Sequence, residues 1–222
     1  MDDLMTLKKR ICKTIDENRD AFIALGHSAL RESETAFSEF KTAEKVCAAL
    51  SDPGLQCRTG QAVTGITADL HGRSDAAMIA LMGELDAIIL SDYPFADKTT
   101  GAAHACGHNV QLRALYGAAI GLIRSGVMSE LDGSVRFMAV PAEEGIDIQG
   151  RARLIREGKI KAFNGKQEFI RLGLFDGVSA ALMRHTPQGG KVSAGGAGGL
   201  CVVPKLVRYK GRSAYPVNAH IA

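Results

Sequence analysis

The chain has 222 residues, 46% of them hydrophobic and 23% charged, which is enough to bury a substantial core. Its formal net charge of +3 and its low aromatic content of 5%, with no tryptophan, exclude nucleic acid as the expected partner. Five scattered cysteines do not form a disulfide framework. Because the sequence contains neither a signal peptide pattern nor an apolar run of membrane-spanning length, we expect a cytoplasmic protein with no membrane partner.

The first half of the chain alternates helical and extended patterns. The spacing of apolar residues predicts a helix over 4–30 and a second helix over 39–50. Strands are predicted over 65–70 and 76–82, and the second is almost entirely apolar, as is typical of a strand covered on both faces. A loop is expected over 87–103.

The second half continues this alternation. Asn109 is the predicted N-cap of a helix that runs to about residue 122. Strands are predicted over 134–140 and 177–183, with mixed helix and loop over 149–173 between them. Strands that alternate with helices favour an α/β domain with a mainly parallel sheet flanked by helices.

The end of the chain has a different composition. A glycine-rich linker is predicted over 189–199, and it leads into a further strand over 200–209. This shift indicates that a second structural unit begins near the linker.

The motif His104-Ala-Cys-Gly-His-Asn109 is the strongest chemical signal in the sequence. Cys106 and His108 are two residues apart, so on an extended segment their side chains leave from the same side. Thiolate and imidazole are ligands that zinc accepts. The alternative is a buried structural cysteine and a histidine that binds a backbone carbonyl. The tight spacing favours metal ligation over that alternative.

Other candidate side chains follow the predicted strands directly. Glu84 and Asp86 follow one strand, Glu143 and Glu144 follow another, and His185 follows a third. In open α/β sheets, ligands bind beyond the carboxyl ends of the strands. We therefore expect these residues to meet the Cys-Gly-His segment at one edge of the sheet.

The paired glutamates suit metal-dependent hydrolysis. Adjacent side chains on extended chain point in opposite directions, so one carboxylate can bind a metal while its neighbour faces the substrate. Hydrolysis needs both a ligand and a base that takes a proton from water. A solvated acidic turn is the alternative for Glu143 and Glu144, and a polar strand end is the alternative for Glu84 and Asp86. Beside a histidine ligand, a carboxylate can fix the orientation of the ring.

Together these motifs resemble a known family. Gly83-Glu-Leu-Asp-Ala87, the His104–Asn109 segment, Gly133-Ser-Val-Arg-Phe137, Pro141-Ala-Glu-Glu-Gly145 and His185 occur in its order and spacing. It is the aminoacylase-like metallopeptidase and amidohydrolase family, which includes N-acyl-amino-acid, hippurate, auxin-conjugate and p-aminobenzoyl-glutamate hydrolases. The resemblance runs from about residue 37 to about residue 211.

The resemblance implies a role for each candidate. It implies a site with two divalent metal ions, zinc or manganese and sometimes cobalt, and the thiolate weakly favours zinc. Glu143 would be the general base, and Asp86 would support the site from behind the ligands. The implied metal ligands are Cys106, His108, Glu144 and His185. The implied substrate is an N-acyl amino acid or related amide, and intact relatives are expected to dimerise through a smaller lid domain.

Two departures from the family pattern bear on this expectation. Asn109 and Gln111 stand where many relatives carry aspartate and histidine, which resembles the aminobenzoyl-glutamate branch. The chain also ends before the lid is complete and before a final histidine ligand. We therefore expect a truncated protein, with residues 1–198 forming the N-terminal part of the catalytic domain and residues 199–222 beginning the lid.

Two alternatives remain open at the level of sequence. One is a non-catalytic fragment or pseudoenzyme. The other is a cysteine hydrolase in which Cys106 is the nucleophile and His104 or His108 is the base. The second alternative leaves no role for the paired glutamates or for His185.

Overall fold

The computed structural model describes residues 3–186 and Val207. Its helices are α1 Leu4–Glu17, α2 Arg19–Arg31, α3 Phe40–Ser51, α4 His108–Arg124, α5 Ile148–Arg156 and α6 Gly165–Arg171, with a short 3-10 helix at Val127–Glu130. Its strands are β1 Arg58–Gln61, β2 Gly65–Leu70, β3 Ser74–Glu84, β4 Ile88–Ile89, β5 Ala102–Ala103, β6 Asp132–Val140 and β7 Val178–Met183. The predicted α/β class is confirmed.

The main sheet has the strand order β1-β2-β6-β3-β7. Strands β3, β6 and β7 are parallel, with Leu81 opposite both Phe137 and Leu182. Strands β1 and β2 join this group in antiparallel orientation, so the sheet is mixed where a mainly parallel one was expected. Because the parallel strands end at the same edge, the segments that follow them start close together.

Strand β6 divides the core into two layers. Phe137 and Ala139 pack with residues of α2, α3 and α4 on one face of the sheet. Met138 and Val140 pack with Phe169 of α6 on the other face. This alternation buries both faces of the strand over its last four residues, Phe137–Val140.

The predicted first helix is two helices. The chain breaks at Asn18, whose side-chain amide donates to the carbonyl of Thr14 at 2.8 Å and whose side-chain oxygen accepts from Arg124. Both α1 and α2 pack against α4, and the break allows each to follow that surface. The expected loop over 87–103 also contains the short β4–β5 hairpin.

The entry to α4 differs from the expectation that Asn109 is its N-cap. The helix begins at His108, and the N-cap is Gly107, in a left-handed conformation with φ of 92°. A β-carbon on Gly107 would lie 2.7 Å from the hydroxyl oxygen of Thr186, so both the conformation and the space require glycine. Asn109 is instead the second residue of the helix, and its side-chain amide donates to the carbonyl of Gly26 in α2 at 3.3 Å.

Three predictions concern the C-terminal region, which lies outside the described residues apart from Val207. They are the linker over 189–199, the strand over 200–209 and the domain boundary between residues 198 and 199. Within the described part, none of the helices combines the length and apolar character needed to cross a membrane.

Candidate metal centre

The candidate residues gather at the carboxyl edge of the parallel strands. Glu84 ends β3, Glu143 and Glu144 follow β6, and His185 follows β7. Cys106 and His108 arrive from the turn that begins α4. The structure thus brings the paired glutamates, the Cys-Gly-His segment and His185 to one edge of the sheet.

His108 is held from behind by Asp86. Its side chain is buried, with 1% of its surface exposed, and Nδ1 lies 2.7 Å from the Asp86 carbonyl oxygen. Nδ1 is therefore the nitrogen that carries hydrogen in a neutral ring, because a carbonyl can only accept. This tautomer leaves the lone pair of Nε2 available for a metal ion.

Carboxylates surround the other nitrogen of this ring. Nε2 of His108 lies 2.9 Å from Glu84 Oε2, 3.8 Å from Glu144 Oε1 and 4.0 Å from Glu143 Oε2. Burial opposes the imidazolium form, but Asp86 and Glu84 raise the pKa of His108 to about 11. The position thus attracts positive charge, which a proton supplies when no metal is bound.

Cys106 and His185 form the outer part of the site. The Sγ of Cys106 lies 3.3 Å from Nε2 of His185, and Nδ1 of His185 lies 3.1 Å from the carbonyl oxygen of Thr186. The Thr186 hydroxyl donates to the Cys106 carbonyl at 2.9 Å, which ties the two segments together. Ligand atoms of Cys106, His108 and His185 all lie within 4.8 Å of one another.

Two buried carboxylate oxygens at this edge lack hydrogen bonds. Oε1 of Glu144 and Oδ1 of Asp86 have no hydrogen-bond partner in the described part of the chain. Such atoms are rare in folded proteins and call for a ligand, water or ion. A set of thiolate, imidazole and carboxylate donors matches the ligands that bind zinc and similar divalent ions. The residues present therefore fit a divalent metal.

Asp86 also positions one of the paired glutamates. Its Oδ2 accepts from the backbone N–H of Glu144 at 2.9 Å. Burial and the charge of Glu84 raise the pKa of Glu143, which is 36% exposed at its side chain. A carboxyl with a raised pKa at the open side of the site is suited to proton transfer.

Sequence reasoning missed two partners of Glu84. Lys166 of α6 bonds to Glu84 Oε1 and lies 3.7 Å from Glu143 Oε1. Gln111 donates to Glu84 Oε2 at 2.9 Å and accepts from its backbone N–H at 3.0 Å. Burial opposes ionisation of Glu84, but His108 and Lys166 lower its pKa to about 2. The departure at Gln111 was visible in the sequence, whereas nothing local pointed to Lys166.

The sequence left open a cysteine hydrolase in which His104 or His108 is the base for Cys106. The contacts of Cys106 differ from that arrangement. The imidazole nitrogens of His104 are buried without a hydrogen-bond partner among the described residues, so His104 is not paired with the thiol. The histidine in contact with Cys106 is His185. Burial and the Glu144 carboxylate raise the pKa of the Cys106 thiol to about 11. In the metal-free protein the thiol is therefore protonated at neutral pH.

Comparison with known proteins gives a consistent result. The sequence profile of "Peptidase family M20/M25/M40" matches residues 80–215. The N-acetylcysteine deacetylase of Bacillus subtilis (strain 168) is 32% identical over 156 residues, which cover 68% of this chain and 36% of the deacetylase. The N-acyl-L-amino acid amidohydrolase of Geobacillus stearothermophilus is 27% identical over 181 residues, which cover 80% of this chain and 44% of that protein.

A solved structure agrees with these sequences. The YXEP protein of Bacillus subtilis, described as a dinuclear metal binding peptidase from the M20 family, matches with a TM-score of 0.58 and 29% identity. The match covers 72% of this chain and 41% of YXEP, so the chain spans less than half the length of these relatives. Because the family profile covers more than half of the 222 residues, the chain belongs to peptidase family M20/M25/M40.

Proposed function

We propose that this chain carries the metal-binding part of a metal-dependent amidohydrolase that cleaves the amide bond of an N-acyl amino acid or a related small conjugate. The proposal rests on one observation above all. Donor atoms of Cys106, His108 and His185 lie within 4.8 Å of one another, and the unpartnered Oε1 of Glu144 lies 3.8 Å from His108 Nε2. A divalent cation would satisfy all of these donors at once.

In this proposal, Cys106, His108, Glu144 and His185 hold two divalent ions, with zinc or manganese as the expected metals. Bound there, the ions would acidify the attacking water and polarise the amide carbonyl. Asp86 keeps the hydrogen of His108 on Nδ1 and holds the backbone of Glu144, through contacts of 2.7 and 2.9 Å. These contacts would keep both ligands in place before the substrate arrives.

Glu143 is the proposed general base. Its carboxylate takes a proton from water and passes that proton to the nitrogen of the leaving amine. Lys166 lies 3.7 Å from Glu143 Oε1, so it can stabilise the ionised form at the start of the cycle. The products are a carboxylic acid and an amino acid or small amine.

The remaining parts of the proposal follow from the family. We assign residues 1–198 to the catalytic domain and residues 199–222 to the start of a lid through which the whole protein would dimerise. We also place the activity in the cytoplasm.

Metal titration combined with an amide-hydrolysis assay tests this function. The purified chain is titrated with zinc and manganese, and hydrolysis is measured on a panel of N-acyl amino acids before and after chelation. We expect Cys106→Ser and His185→Ala to weaken metal binding, and we expect chelation to abolish hydrolysis reversibly. Metal binding without hydrolysis of any substrate in the panel would favour a non-catalytic fragment instead.

The 3.3 Å contact between Cys106 and His185 favours a second candidate, a cysteine hydrolase that uses His185 as its base. Alkylation and chelation distinguish the two functions. If iodoacetamide abolishes hydrolysis while a chelator leaves it unchanged, the cysteine hydrolase is correct. Protection of Cys106 from alkylation by added zinc supports the metal centre.

A further inference from the structure

The peptide before the paired glutamates is strained. Ala142 has a φ of 52°, in the left-handed region that residues with a β-carbon rarely adopt. Such a conformation costs about 1–3 kcal/mol and persists only where the surrounding structure enforces it. Because Ala142 directly precedes Glu143, its conformation sets the direction in which both glutamates leave the sheet.

Arg151 of α5 holds this segment from one side. Its side chain is buried, with 1% exposed, and none of the hydrogen bonds that it makes to the described residues goes to a carboxylate. It donates instead to three carbonyls on alternate residues around the glutamates. These are the carbonyls of Ala142 at 3.2 Å, Ile146 at 2.8 Å and Glu144.

Nη1 of Arg151, which donates to the Ala142 carbonyl, is also anchored to a different segment. Arg151 donates to the carbonyl of Phe163 and to the side-chain oxygen of Asn164, both at 2.7 Å. The guanidinium carbon lies 5.6 Å from the ring centre of Phe37 and 5.5 Å from that of Phe163. Hydrogen bonds and two aromatic faces thus fix the orientation of the donors.

Glu39 holds the same peptide from the opposite side. It is fully buried, and its Oε1 accepts from the N–H of Ala142 at 2.8 Å. Its Oε2 accepts from the hydroxyl of Thr64 at 2.6 Å. The N–H and the C=O of the strained Ala142 are therefore both bound by buried side chains, Glu39 and Arg151.

We propose that Glu39 and Arg151 are positioning residues, which hold Ala142 in its left-handed conformation and thereby aim the carboxylates of Glu143 and Glu144 into the metal centre. The inference rests on the proposed function, because it takes Glu144 as a metal ligand. A buried arginine could serve only to attach α5 to the domain. However, three of its acceptors are carbonyls of residues 142, 144 and 146, which span the two glutamates.

Cobalt binding provides the principal test. Co²⁺ reports on the site through absorbance from the Cys106 thiolate and through its binding constant. We expect Arg151→Met to weaken Co²⁺ binding about tenfold or more, in line with other residues that support metal ligands. Glu39→Ala should have a similar effect. Glu39→Gln, which keeps an acceptor for the Ala142 N–H, should stay within about threefold of wild type.

Arg136→Met is the matched control. Arg136 is also largely buried and donates to Asp69 and to the carbonyl of Leu174 at 2.8 Å, but it lies within the sheet away from the glutamates. This variant should lose stability and keep its affinity for Co²⁺. If Arg136→Met weakens Co²⁺ binding as much as Arg151→Met, or if folded Arg151→Met binds as wild type, the inference is wrong.

A second substitution tests the strained residue itself. Glycine adopts a positive φ without the penalty of a β-carbon, so Ala142→Gly should reduce the need for the two supporting side chains. We expect the loss caused by Arg151→Met to shrink to about threefold when Ala142→Gly is also present. An undiminished loss would show that Arg151 does not act through Ala142.

Amide hydrogen exchange separates this inference from the proposed function. The Ala142 and Glu144 amides should exchange at least about tenfold faster in Arg151→Met than in Arg136→Met, whether or not a metal binds. If the wild-type chain binds no metal, the proposed function fails and exchange alone decides the inference. Equal exchange rates in the two variants would overturn it.

Discussion

The middle of strand β6 and the segment that follows its end hold charged side chains in opposite ways. In the middle, Arg136 meets Asp69 through two contacts, at 2.8 and 3.0 Å, and its remaining nitrogen donates to the carbonyl of Leu174. In the segment after the strand, Glu144 Oε1 is buried without a hydrogen bond in the described structure. The strand thus carries a satisfied ion pair in its middle, and an unsatisfied carboxylate oxygen lies four residues beyond its end.

This difference separates groups that stabilise the fold from groups kept ready for a ligand. A buried polar atom without a partner costs about 1–3 kcal/mol, whereas a paired one is neutral or favourable. The strand ends carry that cost because the donors there are unsatisfied until a cation arrives. Changes in the middle of β6 should therefore alter stability alone, and changes at its end should alter metal binding and hydrolysis.

The largest expected effect is that of Glu143→Gln on hydrolysis. Glutamine keeps the shape of the side chain but cannot accept the proton, so turnover should fall about a hundredfold or more while metal content stays unchanged. Initial rates on an N-acyl amino acid, together with metal analysis, measure both quantities. The exposed substitution Glu157→Gln is the control. If Glu143→Gln instead loses metal, and its turnover falls only in proportion to its metal content, Glu143 is a metal ligand and not the base.

The next effect concerns Glu39 and pH. Burial and the nearby Asp86 charge raise the pKa of Glu39 from 4.5 to about 7. The folded state therefore favours protonated Glu39, and the wild type should lose stability as pH rises from about 4.5 to 7, by about 3 kcal/mol. Glu39→Gln cannot ionise, so its advantage over wild type should grow across this window.

Urea unfolding of both proteins at a series of pH values measures this difference. Every other residue is the same in both proteins, so contributions that do not involve Glu39 largely cancel. A stability difference that stays constant across the window would show that Glu39 is not protonated in the folded protein.

Zinc should stabilise the chain by a comparable amount. At a free concentration about a hundred times its Kd, a ligand that binds only the folded state adds about 2.7 kcal/mol to the free energy of unfolding. Thermal unfolding with and without zinc measures the gain. His185→Ala should reduce it, and Asp69→Asn should not. Equal gains in these two variants would place the zinc elsewhere.

The sequence predicted those parts of the site that local patterns encode. Each apolar strand was followed directly by its polar residues, so the meeting of Glu84, Glu144 and His185 followed from strand direction. The antiparallel addition of β2 could not be predicted in this way, because short apolar strands read the same in either direction. The break at Asn18 was missed because asparagine is tolerated inside helices and the apolar spacing continues across it.

The supporting side chains were missed for a different reason. Lys166 is 82 residues from Glu84, and Glu39 is 103 residues from Ala142. Both lie in segments with the ordinary charge pattern of exposed helices, as does Arg151 among the basic residues of α5. Only tertiary structure shows that these three charged side chains turn inward.

The smallest expected effect is that of Asp69→Asn, at the β2 residue that pairs with Arg136 in the middle of β6. Burial opposes ionisation of Asp69, but Arg136 and Arg58 lower its pKa below the usual 3.8. Its stabilising contribution should therefore be fully present above pH 3.8 and disappear as the pH falls below that value. Asp69→Asn should cost about 1–2 kcal/mol at neutral pH and progressively less in acid. Urea unfolding measures this cost, and Co²⁺ titration of the same variant should match wild type. Weaker Co²⁺ binding by Asp69→Asn would contradict the distinction between the Arg136–Asp69 ion pair and the metal centre, because Asp69 would then support the site as well as the sheet.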